Sequence, residues 1–271
     1  MRRLFFTYKM EMTFSLFVTE HHFTLKCFPK SDERQKIVQE KSEIYPNYFL
    51  DETFDSFGNK CVYGKAFIPH NYFAAKVSGI AEVSGENPYS FSDGKESLFK
   101  YPTKLTECGK KLESFHKSIC SRDGFEGLSV FDKAEFFMSS LFRVFRYASG
   151  VTGVFTSGEE AFALCEGVCQ DYAHILLSLC RKSKIPCRYV AGMMIGEGAS
   201  HAWVEVFDGE KWLSLDPTHN RRTDDTYIVI SRGRDAQDCS INQGVFTGGG
   251  NQKQEIFVCV EEIGDKEKQR K

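Results

Sequence analysis

Three residues far apart in the chain have the side-chain types that thiol catalysis needs: Cys169, His201 and Asp216. From Cys169 the apolar positions are Cys169, Tyr172, Ala173, Leu176, Leu177 and Cys180, the i, i+3, i+4, i+7, i+8, i+11 stripe of an amphipathic helix. Gln170, Asp171, Ser178, Arg181 and Lys182 fall on the other side. Asp171 in the first turn and Arg181, Lys182 and Lys184 near the last suit the helix dipole, and Pro186 stops the helix. Cys169 therefore sits in the first turn, where unpaired N–H groups and the positive dipole end favour a thiolate over a thiol. Gly167 in front of it would let a substrate approach the backbone closely. The competing reading of Cys169 is plain packing on the apolar stripe.

Two alternating runs, 200–207 and 211–216, flank Asp208-Gly209, a strong hairpin signal. With Asp208 and Gly209 as a two-residue turn, Phe207 pairs with Glu210, Val204 with Leu213 and Ala202 with Leu215. The same register puts His201 opposite Asp216, with Cβ atoms about 4.5–5.5 Å apart. A slip of two residues leaves the pair diagonal but on one face. An aspartate so placed holds an imidazole in one tautomer and stabilises its charged form. A purely structural His–Asp pair is the alternative. A first-turn cysteine in the same chain favours a Cys-His-Asp site, with the distance from Cys169 to the pair left to the fold.

Around these elements the chain divides in two. Residues 13–19, 22–29, 48–54, 61–68 and 73–83 are rich in β-branched and aromatic residues with partial alternation, and Gly58-Asn59 marks a turn. They predict an antiparallel, sandwich-like β domain over 1–100. Segment 85–103, with its Gly, Pro, Ser and Asp, reads as a link. Helical spacing at 105–119, 131–147 and 158–164 opens a second domain over 101–264, and 265–271 is a charged tail.

Four runs resemble the transglutaminase-like superfamily: Glu166-Gly167-Val168-Cys169-Gln170-Asp171-Tyr172-Ala173-His174, Ile185-Pro186-Cys187-Arg188-Tyr189-Val190-Ala191-Gly192, Ser200-His201-Ala202-Trp203-Val204-Glu205-Val206 and Trp212-Leu213-Ser214-Leu215-Asp216-Pro217-Thr218. The runs Ser231-Arg232-Gly233-Arg234-Asp235-Ala236-Gln237-Asp238 and Asp55-Ser56-Phe57-Gly58-Asn59 resemble its small bacterial branch, described as cysteine proteases with an N-terminal β domain. The resemblance is strong over 147–248 and weak before 100. It implies an α+β, papain-like core, with a nucleophile helix packed on an antiparallel sheet, preceded by an all-β domain. It also implies thiol chemistry on amides: attack on a peptide or carboxamide carbonyl, an acyl-enzyme, then release to water or to an amine. By that resemblance Cys169 is the nucleophile, His201 the general base and then acid, and Asp216 the orienting carboxylate. Two departures stand out. Cys165, followed by Glu166, occupies a position where relatives often have Gly, and a second thiol there suggests a redox lock or simple packing. No Gln stands at the papain-type oxyanion position; the Cys169 N–H is one donor, and Trp203 and Tyr147 are candidates for the second.

Composition narrows the partners. With 35 basic against 37 acidic residues, the chain has no field of one sign for nucleic acid or for a polybasic membrane contact. No apolar stretch reaches the ~20 residues a bilayer span needs. Tyr8, Lys9 and Glu11 interrupt the apolar start, so a signal peptide is not expected and the expected compartment is the cytosol. The ten cysteines include no CxxC pair and read as reduced thiols. Cys165 and Cys169, four apart, could share a helical face as metal ligands, but no partner pair accompanies them. The expectation is a peptide or protein amide substrate, with no cofactor and no metal. A non-catalytic module of the same fold, and a metal site built from Cys169, His201, Asp216 and His219, are the competing readings. His174 reads as a helix-surface or hydrogen-bonded residue, His219 as a loop residue, Arg234 and Asp235 as a salt bridge, and His21-His22 as too isolated for a metal. Gly248-Gly249-Gly250 lacks the context of a phosphate loop.

Overall fold

Buried positions alternate along the N-terminal segment: Leu4, Phe6, Tyr8, Met10, Met12 and Phe14 point inward, the period-two signature of a strand with one face in a core. In the computed structural model, which describes residues 1–91 and 94–264, this is one strand, β1 (Arg2–Leu25), where two shorter ones were expected. It is followed by β2 (Gln35–Tyr45), β3 (Phe49–Phe54), β4 (Lys60–Ala66) and β5 (His70–Val83). Then come α1 (Lys110–Cys120), α2 (Val130–Val144), β6 (Arg146–Tyr147), α3 (Gly158–Leu164), β7 (Glu166–Gly167) and α4 (Cys169–Lys182). The chain continues through β8 (Cys187–Met194), β9 (Gly196–Gly198), β10 (His201–Phe207), β11 (Trp212–Asp216) and β12 (Arg221–Arg222). It ends with β13 (Tyr227–Gly233), β14 (Asn242–Gly248) and β15 (Gln252–Glu262). The expected charged tail, 265–271, lies outside the described residues. Among the described residues no helix is long and apolar enough to cross a membrane.

Irregularities between Thr13 and Val18 and between Thr19 and His22 break the register of β1. Such bulges bend a strand. The first half of β1 pairs with β5 and β15, and its second half with β4 and β14. The N-terminal unit is thus one curled antiparallel sheet of eight strands. Its edges also draw on strands from beyond residue 100. β9, β14 and β15, all from the expected second domain, complete the first sheet, because both edges of so long a strand need partners for their N–H and C=O groups.

The second sheet has the order β12-β11-β10-β8-β13. The apolar stripe of α4, including Tyr172, Ala173, Leu176, Leu177 and Cys180, packs on it against Tyr189, Ala191, Ala202, Val204, Val206, Leu213 and Leu215. The other side of α4 is not a solvated face. Asp171, His174, Ser178 and Arg181 are all buried. The Arg181 guanidinium donates to the carbonyls of Phe99 (3.2 Å), Cys187 (3.0 Å) and Arg234 (2.6 Å) and to Thr106 Oγ1 (2.6 Å). Segments distant in sequence therefore cover the helix and satisfy its charge, as burial requires. The expected link at 85–103 also packs: Asn87 Nδ2 donates to Ser214 O and Thr223 O, and Tyr89 bridges to Trp212.

The hairpin register differs from the expected one by two. Val204 pairs with Leu215, Val206 with Leu213 and Phe207 with Trp212. The Asp208 carboxylate accepts from the N–H groups of Glu210 and Lys211, both at 2.8 Å. That Asx-type capping stabilises a four-residue connection. Because the shift is even, every side chain keeps its predicted face.

Candidate active site

The first turn of α4 is built around one carboxyl group. Asp171 Oδ2 accepts from the Val168 N–H at 2.7 Å and from Thr152 Oγ1 at 2.6 Å. Burial pushes the Asp171 pKa up. A Cβ on Gly167 would lie 2.4 Å from Asp171 Oδ2. Gly167 is therefore required by the helix cap, which corrects the expectation that it clears room for substrate. Cys169 follows as the first helical residue, partly buried. Its N–H has no acceptor one turn back in the helix, as for any first-turn residue.

His201 opens β10 and is 8% exposed; Asp216 closes β11 and is fully buried. His201 Nε2 bonds to Asp216 Oδ2 at 2.8 Å. Burial works against a charged His201, but its hydrogen bonds to Asp216 and Cys169 outweigh it and push the pKa from 6.5 up to about 9. With Nε2 taken by the carboxylate, Nδ1 is the ring nitrogen left for the sulfur. Burial likewise opposes the charge on Asp216, but bonds from His201, His219 and Tyr227 bring its pKa down from 3.8 to about 2. His201 thus bonds to Asp216 and interacts with the thiol of Cys169.

Residues 127–217 match the model of the transglutaminase-like superfamily, a window that holds all three of these side chains. Over that window the chain is similar to this superfamily. An uncharacterized protein of Mycobacterium leprae is 27% identical over 252 residues, covering 85% of this chain and 88% of that protein. One of Mycobacterium tuberculosis H37Rv is 27% identical over 292 residues, covering 94% and 91%. A crystal structure titled "Putative Cysteine Protease", from Cytophaga hutchinsonii, matches with a TM-score of 0.78 at 20% identity, over 97% of this chain and 91% of that one. That likeness establishes a shared fold across both sheets.

Two further side chains bond to the Asp216 carboxylate. Tyr227 OH donates to Asp216 Oδ2 at 2.8 Å and accepts from Arg221 Nε at 2.9 Å. Tyr227 lies on β13, so only the fold could reveal it. His219, weighed as a loop residue, bonds through Nδ1 to the same oxygen at 2.7 Å. The turn after Asp216 places it there: Asp216 Oδ1 accepts from the N–H groups of Thr218 and His219, at 3.0 and 3.3 Å. That is an Asx turn readable from residue type. The ligand atoms of His201, Asp216 and His219 lie within 4.8 Å of one another, a group that leaves out Cys169 of the competing metal reading.

Trp203 stacks on His201 with ring centroids 6.2 Å apart and meets Tyr227 edge-on at 5.4 Å. It is fully buried, and its Nε1 has no partner among the described residues. A Cβ on Gly192 would lie 2.3 Å from the Trp203 ring, so the neighbouring strand accommodates this indole only with glycine. Of the two candidate oxyanion donors, Trp203 is a buried buttress of the imidazole. Tyr147 is exposed and pairs with Gly167, two residues before Cys169; partial burial and the charge of Cys169 push its pKa up.

Cys165 closes α3 while Cys169 opens α4, with β7 between them, so they do not share a helical face. Cys165 has φ 60°, a conformation glycine adopts without strain. Both thiols are free. Arg234 pairs with Asp238 at 2.8 Å rather than with Asp235, whose carboxylate accepts from Gln237 N–H. His174 is fully buried, accepts from Ala236 N–H at 3.2 Å, and is held down to about 4 by burial. His21 is buried against His70, with Nδ1 and Nε2 3.1 Å apart. Gly248, Gly249 and Gly250 all have positive φ and turn β14 into β15.

Proposed function

We propose that the chain hydrolyses amide or peptide bonds through an acyl-enzyme on Cys169. One observation carries the reading: a single buried imidazole, His201, joins the Cys169 thiol to the fully buried Asp216 carboxylate. At neutral pH His201 already holds the thiol proton as an imidazolium that Asp216 stabilises, so sulfur attacks the carbonyl carbon as a thiolate. The Cys169 N–H, at the positive end of α4, receives the developing oxyanion, with Tyr147 OH as the second donor. His201 then gives its proton to the leaving amine, which departs and leaves a thioester. Water attacks the thioester with His201 as base, and the acid leaves as the thiol re-forms.

Hydrolysis is favoured over transfer to an amine. Cys169 is only partly buried and His219 is half exposed, so water reaches the thioester. The substrate is a peptide or protein amide met in the cytosol. The test uses denatured casein as substrate for the full chain, followed by mass spectrometry. Cleaved peptides and an acyl adduct on Cys169, both absent from Cys169→Ala, are expected. Casein left intact with Cys169 unmodified would overturn the proposal, and accumulation of amine cross-links in place of acids would favour acyl transfer.

A further inference from the structure

From Tyr147 to Gly158 the chain carries no charged residue. This segment and the end of α3 leave large apolar side chains in solvent: Tyr147 58%, Val151 39%, Val154 66%, Phe155 75% and Leu164 52% exposed. A contiguous exposed apolar patch is uncommon on a protein surface and marks an interaction site. Val154, Phe155, Ala163 and Leu164 line a shallow cavity of about 730 Å³. The charged groups nearby are already engaged. Glu160 accepts from Ser157, Glu159 accepts from the N–H groups of Lys111 and Leu112, and Arg146 pairs with Glu166 at 2.9 Å.

The patch is fastened to the nucleophile. Thr152 Oγ1 bonds to Asp171, and Gln170 Nε2 reaches Val154 O at 3.4 Å, so the first turn of α4 holds the loop from below. Ala148 N–H donates to Gly167 O at 2.8 Å, two residues before Cys169. The acyl half of a substrate stays on the sulfur through both steps, whereas the amine half leaves beside the imidazole that protonates it. Residues that flank Cys169, and not His201, therefore touch the acyl half.

We infer that this patch is the acyl-side binding surface, and that the substrate presents a large aromatic or aliphatic side chain next to the carbonyl that Cys169 attacks. The inference rests on the thiol-hydrolase reading. Burying such a side chain against Phe155 and Leu164 gains binding for apolar substrates and leaves acidic or basic ones without a partner.

The test labels the full chain with three chloromethyl ketones, N-acetyl-phenylalanyl, N-acetyl-glycyl and N-acetyl-aspartyl, with iodoacetamide as a control that needs no side-chain site. After correction for intrinsic reactivity, the phenylalanyl probe is expected to modify Cys169 about tenfold faster than the glycyl probe. Phe155→Ser and Leu164→Ser, both at exposed positions, remove most of that preference and leave the iodoacetamide rate unchanged. Equal labelling by the three probes, or a preference that survives both substitutions, overturns the inference. So does a dimer in size-exclusion chromatography that either substitution splits, since a second copy of the chain would then own the patch. If iodoacetamide itself does not select Cys169, the hydrolase reading falls and takes this inference with it.

Discussion

His201 and Asp216 meet diagonally across the β10–β11 hairpin, Nε2 to Oδ2 at 2.8 Å, in a register two residues from the one that a two-residue turn would set. The pairing survives because an even shift keeps both side chains on one face. The bond is held from three sides, since His219 Nδ1 and Tyr227 OH also bond to that oxygen. A carboxylate fixed in this way orients the imidazole even before substrate arrives.

The bond has a pH signature. His201 rises from 6.5 to about 9 on folding, so its contribution to stability is fully present below pH 6.5 and is lost as pH climbs through 9. Asp216 falls from 3.8 to about 2, so its contribution is present above pH 3.8 and is lost as pH drops through 2. Both describe one coupled interaction and are not added. Denaturant unfolding from pH 6 to 9.5 is expected to show a decline of a few kcal/mol that His201→Gln flattens. Following the His201 ring by NMR should give a midpoint near 9 in the wild type and a clearly lower one in Asp216→Asn.

Tyr227→Phe removes one donor from Asp216 and the acceptor of Arg221 Nε. The expected loss of stability is about 1–2 kcal/mol. As a positioning residue, Tyr227 should also move the midpoint of His201, which a residue that only packs would leave in place. NMR titration of the variant decides between the two.

Gly167→Ala puts a methyl 2.4 Å from Asp171 Oδ2. The carboxyl must shift, loosening its bonds to Val168 and Thr152 and displacing the start of α4. A destabilisation of about 1–3 kcal/mol is expected, with slower alkylation of Cys169. Thermal unfolding and iodoacetamide kinetics on the same preparation check both.

The start of α4 at Cys169 was legible because a periodic stripe and charges at the two ends act within a few residues of one another. The faces of β10 and β11 were legible because strand alternation is local. Their register was not, since it depends on how the Asp208 carboxylate folds the connection. The curled sheet was hidden for another reason: β1 finds β15 across most of the chain, where no local pattern reaches. The burial of His174 and Arg181 was not legible because the segments that cover them, around Phe99, Thr106 and Ala236, are far away in sequence.

The central claim is that Cys169, His201 and Asp216 act as one unit. Its most direct test is the rate at which iodoacetamide modifies each of the ten cysteines at neutral pH, read by peptide mapping in wild type, His201→Ala and Asp216→Asn. Cys169 should react fastest of the ten in the native chain, and roughly 10²-fold more slowly in His201→Ala. A native Cys169 that reacts no faster than the same residue in denatured protein, or that is indifferent to both substitutions, would contradict the account.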